Sequence, residues 1–575
     1  MSATLGSVAT GPRQFHDMIV VGAGHNGLVA ANYLANEGLD VLVVEASDEI
    51  GGMTMTAPMI AEAPHHLINH CAVDPILWGA GPPARDLALE DHGLNWVKVD
   101  PAFVYLHPDG ASIAFWRDPK KTAEEIHRFS QADARAYLEF AEFLDAFYDL
   151  IFPIMGTNPT RPDFRTASTV VREAVHHRKH VASLASFMLA SGKEVIAERF
   201  EHPVVRSALH IACGATMPSS QPGSTLQFLL LAAVHRVPCL RPVGGTQAIP
   251  DALAARLKTR GGSITTGSGV SEIQVEGGRA VGVVLDDGRE IGAGHGVLTS
   301  CDPQQTLLHL LPKGTLSERV EHRARAIPSN GSGWGQMKID IALSARIDLS
   351  RFQAQRRDDL DLRLPSHWIG TEEGIERSYA ASAAGIMPAP EDLVFYNAVP
   401  SAADPSQAPT GQDTLYLLAV AVPFAPPEGW AALKVSASER VIGQAATFYG
   451  GLSEMEIGRQ VHTHEDIREL MHVTGGCHPH VDQVLSRSGP LRPALGLGGY
   501  QTPVKGLFLG GSGSHPGGSV TGLPGYNSAR VAIRSVSKDG RSARSRANRI
   551  RPRTVRLSPL APFASPSATH PRRSS

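Results

Sequence analysis

The feature that most limits how this chain can fold is a glycine-punctuated turn near its N-terminus, Gly22-Ala23-Gly24-His25-Asn26-Gly27. It follows a short apolar run, Asp17–Val21, rich in β-branched residues. It opens a segment, Leu28–Glu37, whose Leu28, Ala31, Leu34 and Ala35 recur at helical spacing. Gly38 marks the end of that helix, and Val41–Val44 is a second buried strand. Strand, turn, helix and strand within roughly thirty residues make one βαβ unit. Gly22 permits the tight turn, Gly24 lets the backbone approach a pyrophosphate, and Gly27 lets the helix pack close to the strand. The helix N-terminus offers unpaired N–H groups and a partial positive charge to phosphates. Glu45, closing the second strand, can accept hydrogen bonds from an adenosine ribose and disfavours a 2′-phosphate. The unit predicts a dinucleotide site of Rossmann type.

The choice between dinucleotides rests on two further segments. Gly51-Gly52 follows Glu45 and suits backbone approach to another part of a long cofactor. Far away, Leu507-Phe508-Leu509-Gly510-Gly511 reads as a strand ending in glycines, followed by Ser514-His515-Pro516-Gly517-Gly518. In two-part flavin folds such an element returns to the first βαβ unit and cradles the ribityl chain and isoalloxazine ring. An NAD domain has no need of it, so FAD is the expected cofactor. Gly292, Gly294 and Gly296 have no helix after them and read as a turn between two strands.

The rest of the chain is less specific. Residues 121–151 are helical in pattern, with Tyr137, Phe140, Leu144, Phe147 and Ile151 at steps of three and four. They read as core, with a substrate tunnel as the sharper alternative. Residues 168–212 predict more helices. Residues 261–300 predict a meander: Ser263–Thr266, Val270–Glu276, Arg279–Leu285, Arg289–Ile291 and Gly296–Ser300, with Gly277-Gly278 and Asp286-Asp287-Gly288 as turns. The longest apolar stretches, Phe228–Val234 and Leu415–Val422, fall far short of the roughly 18 residues that span a bilayer. The first fifteen residues carry no basic and apolar leader pattern. Five cysteines without short pairings predict reduced thiols and argue against a thiol–disulfide reductase. A net charge of −3 gives no reason to expect a nucleic-acid partner. Residues 541–575 nevertheless hold nine arginines and no acid, and read as a solvated, disordered basic tail.

The run GAGHNGLVAANYLANEGLDVLVVEASDEIGG from Gly22, the segment Arg241-Pro242-Val243-Gly244-Gly245-Thr246 and the closing run KGLFLGGSGSHPGGSVTGLPGYNSARVAI, residues 505–533, carry a resemblance. Together they resemble the phytoene desaturase superfamily of carotenoid oxidoreductases. Cys71-Ala72-Val73-Asp74, the stretch from Leu87 to Gly110, and Asp133-Ala134 with Tyr137 and Phe140 look closest to its β-carotene ketolase branch. A related branch is the pyridine nucleotide-disulphide oxidoreductase domain-containing group. The likeness spans about residues 16–535.

That resemblance implies an α/β fold: a discontinuous Rossmann-type FAD-binding domain, residues 16–95, 240–310 and 490–536, with a mixed α+β substrate domain, 96–239 and 311–489. Residues 1–15 would be a flexible lead and 537–575 the basic tail. Gly22, Gly24, Gly27, Glu45 and Gly52 would hold the cofactor's adenosine and pyrophosphate, with Asn26, Gly51 and Met53 as further cofactor-binding positions. Val270 would meet the adenine through its backbone, and Gly511, Ser512, Gly518 and Val520 would face the flavin. Met53, Ser514 and Ser519 depart from the usual residues, and His65, His66 and His70 replace a more apolar stretch. The implied reaction is desaturation or ketolation of an apolar polyene or isoprenoid, with oxygen or a quinone as electron acceptor. The implied setting is cytoplasmic, with peripheral contact to a membrane allowed.

No catalytic residue is dictated, because a flavin performs the hydride chemistry itself. Asp133 and His515 are the candidates, the first set against a helix-cap role and the second against a purely backbone role for its loop. His65, His66 and His70 lack the carboxylate or cysteine partners a metal would need. No metal is expected, and they read as loop or surface histidines, or as polar groups near the flavin. Two rivals remain: an oxidase of an amine or alcohol on the same fold, and a non-enzymatic isoprenoid binder. Gly511-Ser512 disfavours the first, since amine oxidases usually carry an acid there. The intact glycine turn disfavours the second.

Overall fold

The computed structural model describes the backbone of residues 14–550 and the side chains of residues 14–537. Residues 1–13 and 551–575, which hold most of the expected lead and much of the expected tail, lie outside the described residues. A main compact unit ends at Ile533 and a second begins at Arg534.

Two seven-stranded sheets organise the main unit. The first opens with β1 (Gln14–Val21), α1 (His25–Asn36) and β2 (Val41–Val44). β1 runs parallel to β2, with Met18 opposite Val41 and Val21 opposite Val44. The paired stretches of both strands are apolar throughout because both faces are covered. On β1's other side lies β3 (Glu290–Thr299), also parallel. Ser263–Thr265 pairs with β2, Leu507–Leu509 pairs with β3, and the hairpin of Val270–Glu276 and Arg279–Leu285 completes the sheet. The chain thus returns from its far end to lie two strands from β1, which leads into the glycine turn.

Two local expectations need correction. α1 starts at His25 rather than Leu28, because Gly24 sits in extended geometry (φ −67°, ψ 164°) and the helix begins directly after it. Gly292, Gly294 and Gly296 are not a turn: they lie within the continuous ten-residue β3. The register shifts between His16 and Met18, and Gly296 (φ +144°) approaches Gly506 so closely that a Cβ would stand 2.0 Å from its carbonyl oxygen. The glycines mark a bulge and a close backbone contact.

The second sheet runs in the order Glu456–Thr463, β4 (Trp334–Leu343), β6 (Asp413–Pro423), β5 (Phe395–Ala398), Ser366–Ile369, Phe103–Leu106 and Ser112–Phe115. It is mixed: Ser366–Ile369 is parallel to Phe103–Leu106 and the other pairs are antiparallel. Helices cover it. α2 (Gln131–Met155) buries Tyr137, Phe140, Leu144 and Phe147. Phe140 meets Phe187, Phe200 and Phe228 at ring-centroid distances of 5.2–6.4 Å, so the aromatic stripe is core. α3 (Phe164–His176), α4 (Arg178–Leu189) and α5 (Phe228–Arg236) follow. The last helix, α6 (Leu523–Ile550), runs past residue 536, the expected end of the FAD-binding domain, so residues 537–550 are helical rather than part of a disordered tail. No helix among the described residues is long and apolar enough to cross a membrane.

Candidate active site

The glycine turn is built by close packing. A Cβ on Gly27 would lie 2.1 Å from the Gly22 carbonyl oxygen, and one on Gly22 (φ +96°) 2.4 Å from Ser300 Oγ. Gly24 differs: a Cβ there would meet nothing nearer than the Gly51 carbonyl at 3.9 Å. No protein atom requires a glycine at that position, and the space it leaves suits a phosphate. Gly24 bridges to Gly51, and the Gly24 Cα faces Gly52 (φ +54°), so these three glycines form a cradle beside the N-terminus of α1. The Glu45 carboxylate accepts hydrogen bonds from the Ala23 N–H at 2.6 Å and the Ser47 N–H at 3.0 Å. The Ser268 N–H donates to the Glu45 carbonyl at 2.9 Å, which brings Val270 alongside.

The C-terminal element closes this groove. Gly511 is pressed against the Ser300 carbonyl, where a Cβ would stand 2.2 Å away. Asn26 donates to Ser512 Oγ at 3.3 Å and leaves its own buried Oδ1 without a partner. Ser519 (φ +76°) and Val520 (φ +23°) take left-handed conformations. Such conformations cost on the order of 1–3 kcal/mol each and are held only where surroundings impose them. Open glycine space, an orphaned acceptor and a helix N-terminus together fit an extended dinucleotide.

A cleft with a cavity volume of about 290 Å³ adjoins the groove. His25, Met53, Ser512, Gly518, Ser519 and Val520 line its cofactor end. Ile76, Leu77, Leu230, Leu418 and Val420 form an apolar wall, the last two from β6. Polar groups stand between. Asp74 accepts from Arg241 Nε at 2.8 Å, from the Tyr396 hydroxyl at 2.6 Å and from Ser366 Oγ. The Tyr416 hydroxyl donates to the Cys71 carbonyl at 2.7 Å. Burial, with the Asp74 carboxylate beside one of them, holds Tyr396 and Tyr416 well above the usual phenol range.

Behind the Tyr416 ring is a buried polar cluster that no motif announced. Lys338 Nζ lies 4.5 Å over the ring and pairs with Asp340, two residues along β4. Burial lifts the Asp340 carboxyl to about 6 despite that ammonium. His70 and His462 sit with ring centroids 5.0 Å apart, and neither ring has a hydrogen-bond partner. Burial, then neighbouring charge, pushes His70 down to about 3 and His462 and His478 to about 4. The signal available in the sequence was a period of two, Gln336, Lys338 and Asp340, inside an otherwise apolar strand.

The catalytic candidates fall elsewhere. Asp133 is buried in the first turn of α2, where it accepts from the Glu201 and His202 N–H groups at 3.0 and 2.9 Å. Ser130, not Asp133, caps the helix. His515 is turned toward the end of α2 and bonds the Ile154 carbonyl at 3.0 Å. Neither lines the cleft, and neither does any residue of 121–212, so those helices do not form its tunnel. His65 is exposed, whereas His66 and His70 are buried rather than surface groups. Among the described residues, Asp149, Glu173 and His177 could converge on an ion. Each is already engaged, Asp149 with Arg236 and His177, and Glu173 with Arg172.

Comparisons with known proteins agree with this geometry. The family model for flavin containing amine oxidoreductases matches residues 27–333. Pyridine nucleotide-disulfide oxidoreductase domain-containing protein 2 of Mus musculus is 28% identical, covering 91% of this chain and 94% of its own. One of the limonene dehydrogenase polypeptides of Castellaniella defragrans is 26% identical, covering 90% and 95%. The zeta-carotene-forming phytoene desaturase of Myxococcus xanthus is 25% identical, covering 94% and 97%. In fold, the chain is similar to an oxidoreductase from Methanosarcina mazei, with a TM-score of 0.57 at 16% identity over 90% of this chain and 99% of that one.

Proposed function

The chain belongs to the flavin containing amine oxidoreductase family, and from that premise we propose that it removes hydride from an apolar, unsaturated substrate of isoprenoid type. Its cofactor is FAD. One observation carries the reading: the cleft joins the cofactor end, at Ser512 and Gly518–Val520, to the aliphatic wall of Ile76, Leu77, Leu230, Leu418 and Val420. The names of two relatives, a limonene dehydrogenase polypeptide and a phytoene desaturase, support a substrate of this class.

When bound, FAD supplies the hydride-accepting chemistry. The chain's own residues bind, orient and exclude water. Gly22, Gly24, Gly27, Gly51 and Gly52 would admit the pyrophosphate to the N-terminus of α1, and Glu45 would hold the ribose. The aliphatic wall would desolvate the substrate and lay it along β6. Asp74 is committed to Arg241, Ser366 and Tyr396, so its role is to hold the Tyr396 hydroxyl at the cleft surface rather than to abstract a proton. At neutral pH the imidazoles of His25 and His478, pushed down to about 4 by burial, line the cleft uncharged. Oxygen or a quinone would serve as electron acceptor.

The test is anaerobic bleaching of the flavin absorbance with a panel of monoterpenes, polyenes and retinoids, set against small amines and alcohols. An isoprenoid should bleach the flavin and an added quinone or oxygen should restore it. Rapid bleaching by a water-soluble amine or alcohol, with none by the isoprenoids, would replace this reading with the oxidase of a small polar substrate.

A further inference from the structure

α3 leaves an apolar stripe exposed. A surface helix ordinarily turns its apolar stripe inward. In α3 no residue is fully buried. Phe164, Ala167, Val171 and Val175 recur at steps of three and four, and all four are exposed. Phe164 is 88% exposed, and Val171 and Val175 are each 63% exposed. The side toward the body is mixed: Val170 and Ala174 pack against the helical core beside the half-buried Thr166, Thr169 and Glu173. Asp163 caps the helix, accepting from the Thr166 N–H at 2.9 Å, and pairs with Arg530 at 3.1 Å. His177, just past the C-terminus, bonds Asp149 of α2 at 3.1 Å. These contacts set the rotation of the helix, so the outward stripe follows from its anchoring. α4 continues the pattern: Leu184 and Phe187 are buried, while Val181, Ala185 and Leu189 are exposed.

Charge selects the occupant. From Phe164 to Leu189 there are four cationic side chains, Arg165, Arg172, Arg178 and Lys179, and one carboxylate, Glu173, which is paired with Arg172. All four cations are exposed. A second copy of this face would oppose like charges, whereas an anionic bilayer offers opposite charge at its surface and an apolar interior beneath. α4 also adjoins the cleft wall: the Thr225 hydroxyl donates to the Phe187 carbonyl, and Gln227 and Leu230 line the cleft. We infer that the α3–α4 hairpin lies on an anionic lipid bilayer, with Phe164, Val171 and Val175 inserted among the acyl chains and the cations at the headgroups. This surface stands apart from the substrate reading, since lipid binding is measured without turnover.

The experiment uses the full-length, FAD-loaded protein carrying Val171→Cys labelled with an environment-sensitive fluorophore. The native thiols are buried or, at Cys301, half-buried. Equimolar phosphatidylcholine–phosphatidylglycerol vesicles should shift the label's emission to the blue and raise its intensity, and pure phosphatidylcholine vesicles should do so far less. In co-sedimentation of the unlabelled protein, Phe164→Ser/Val171→Ser/Val175→Ser should weaken binding about tenfold or more, with flavin absorbance unchanged as the folding control. Arg165→Glu/Arg172→Glu/Lys179→Glu should do the same. The label reports this face alone, so attraction of the arginine-rich C-terminal segment to the vesicles cannot imitate it. The inference fails if the label is indifferent to anionic vesicles or if the triple serine variant sediments like the parent. It also fails if the label responds to protein concentration without lipid, which would assign the face to a second copy.

Discussion

At the scale of single residues, the cofactor site depends on where a side chain has room. Gly24 has no protein neighbour to clash with, so Gly24→Val should leave the fold intact and abolish FAD binding, read as loss of flavin absorbance in the purified protein. Glu45→Ala should weaken FAD by about 1.5–3 kcal/mol, the value of hydrogen bonds to a charged group, measured by equilibrium dialysis. Part of that loss belongs to the turn, because the same carboxylate holds the Ala23 N–H. At the cleft, Asp74→Ala leaves Arg241, 2% exposed, without its counter-charge. Removing one partner of a buried pair costs about 3–5 kcal/mol, to be read from the urea midpoint at constant slope.

At the scale of elements, β3 carries the largest backbone constraint. Gly296→Val would drive a Cβ against Gly506 in a left-handed conformation. It should destabilise by roughly 3 kcal/mol or more, measured by thermal unfolding of the FAD-loaded protein. The βαβ unit was legible in the sequence because its signals are local: periodic apolar residues, a glycine turn and a carboxylate at a set distance. β3 was not, because a glycine that permits a turn and one that permits a neighbouring strand to approach look alike until the partner, Gly506, is known. Asp133 was misleading for a similar reason. An acidic residue in a first helical turn fits a cap, a catalytic group or, as here, a clasp for the distant Glu201 and His202 N–H groups.

At the scale of the whole molecule, the buried histidines tie stability to pH. His25, His70, His462, His478 and His480 have folded-state values near 3–4, against about 6.5 when unfolded. Between those limits the unfolded chain binds more protons than the folded one, so stability rises with pH in that window. It is complete above pH 6.5 and falls as the pH drops toward 4. Each such histidine withdraws up to about 1.4 kcal/mol per pH unit below its unfolded value. The melting temperature should therefore drop steeply from pH 7 to pH 5. His70→Phe/His462→Phe should flatten that slope, and an unchanged slope would show that other groups carry it.

The sequence by itself determined the βαβ unit, the dinucleotide site within it and the return of a distant glycine-rich strand, because each is written in neighbouring residues and in backbone requirements that only glycine meets. It also revealed the apolar wealth of residues 121–212, but not which way those side chains face. Tertiary structure alone decided that the aromatic stripe of α2 is core, that the stripe of α3 faces outward, and that Lys338, paired with Asp340, meets His70 and His462 behind the cleft. Several of these relations join segments hundreds of residues apart. The rotation of a helix or the pairing of a buried charge is set by the partner it meets, and no local pattern records that partner.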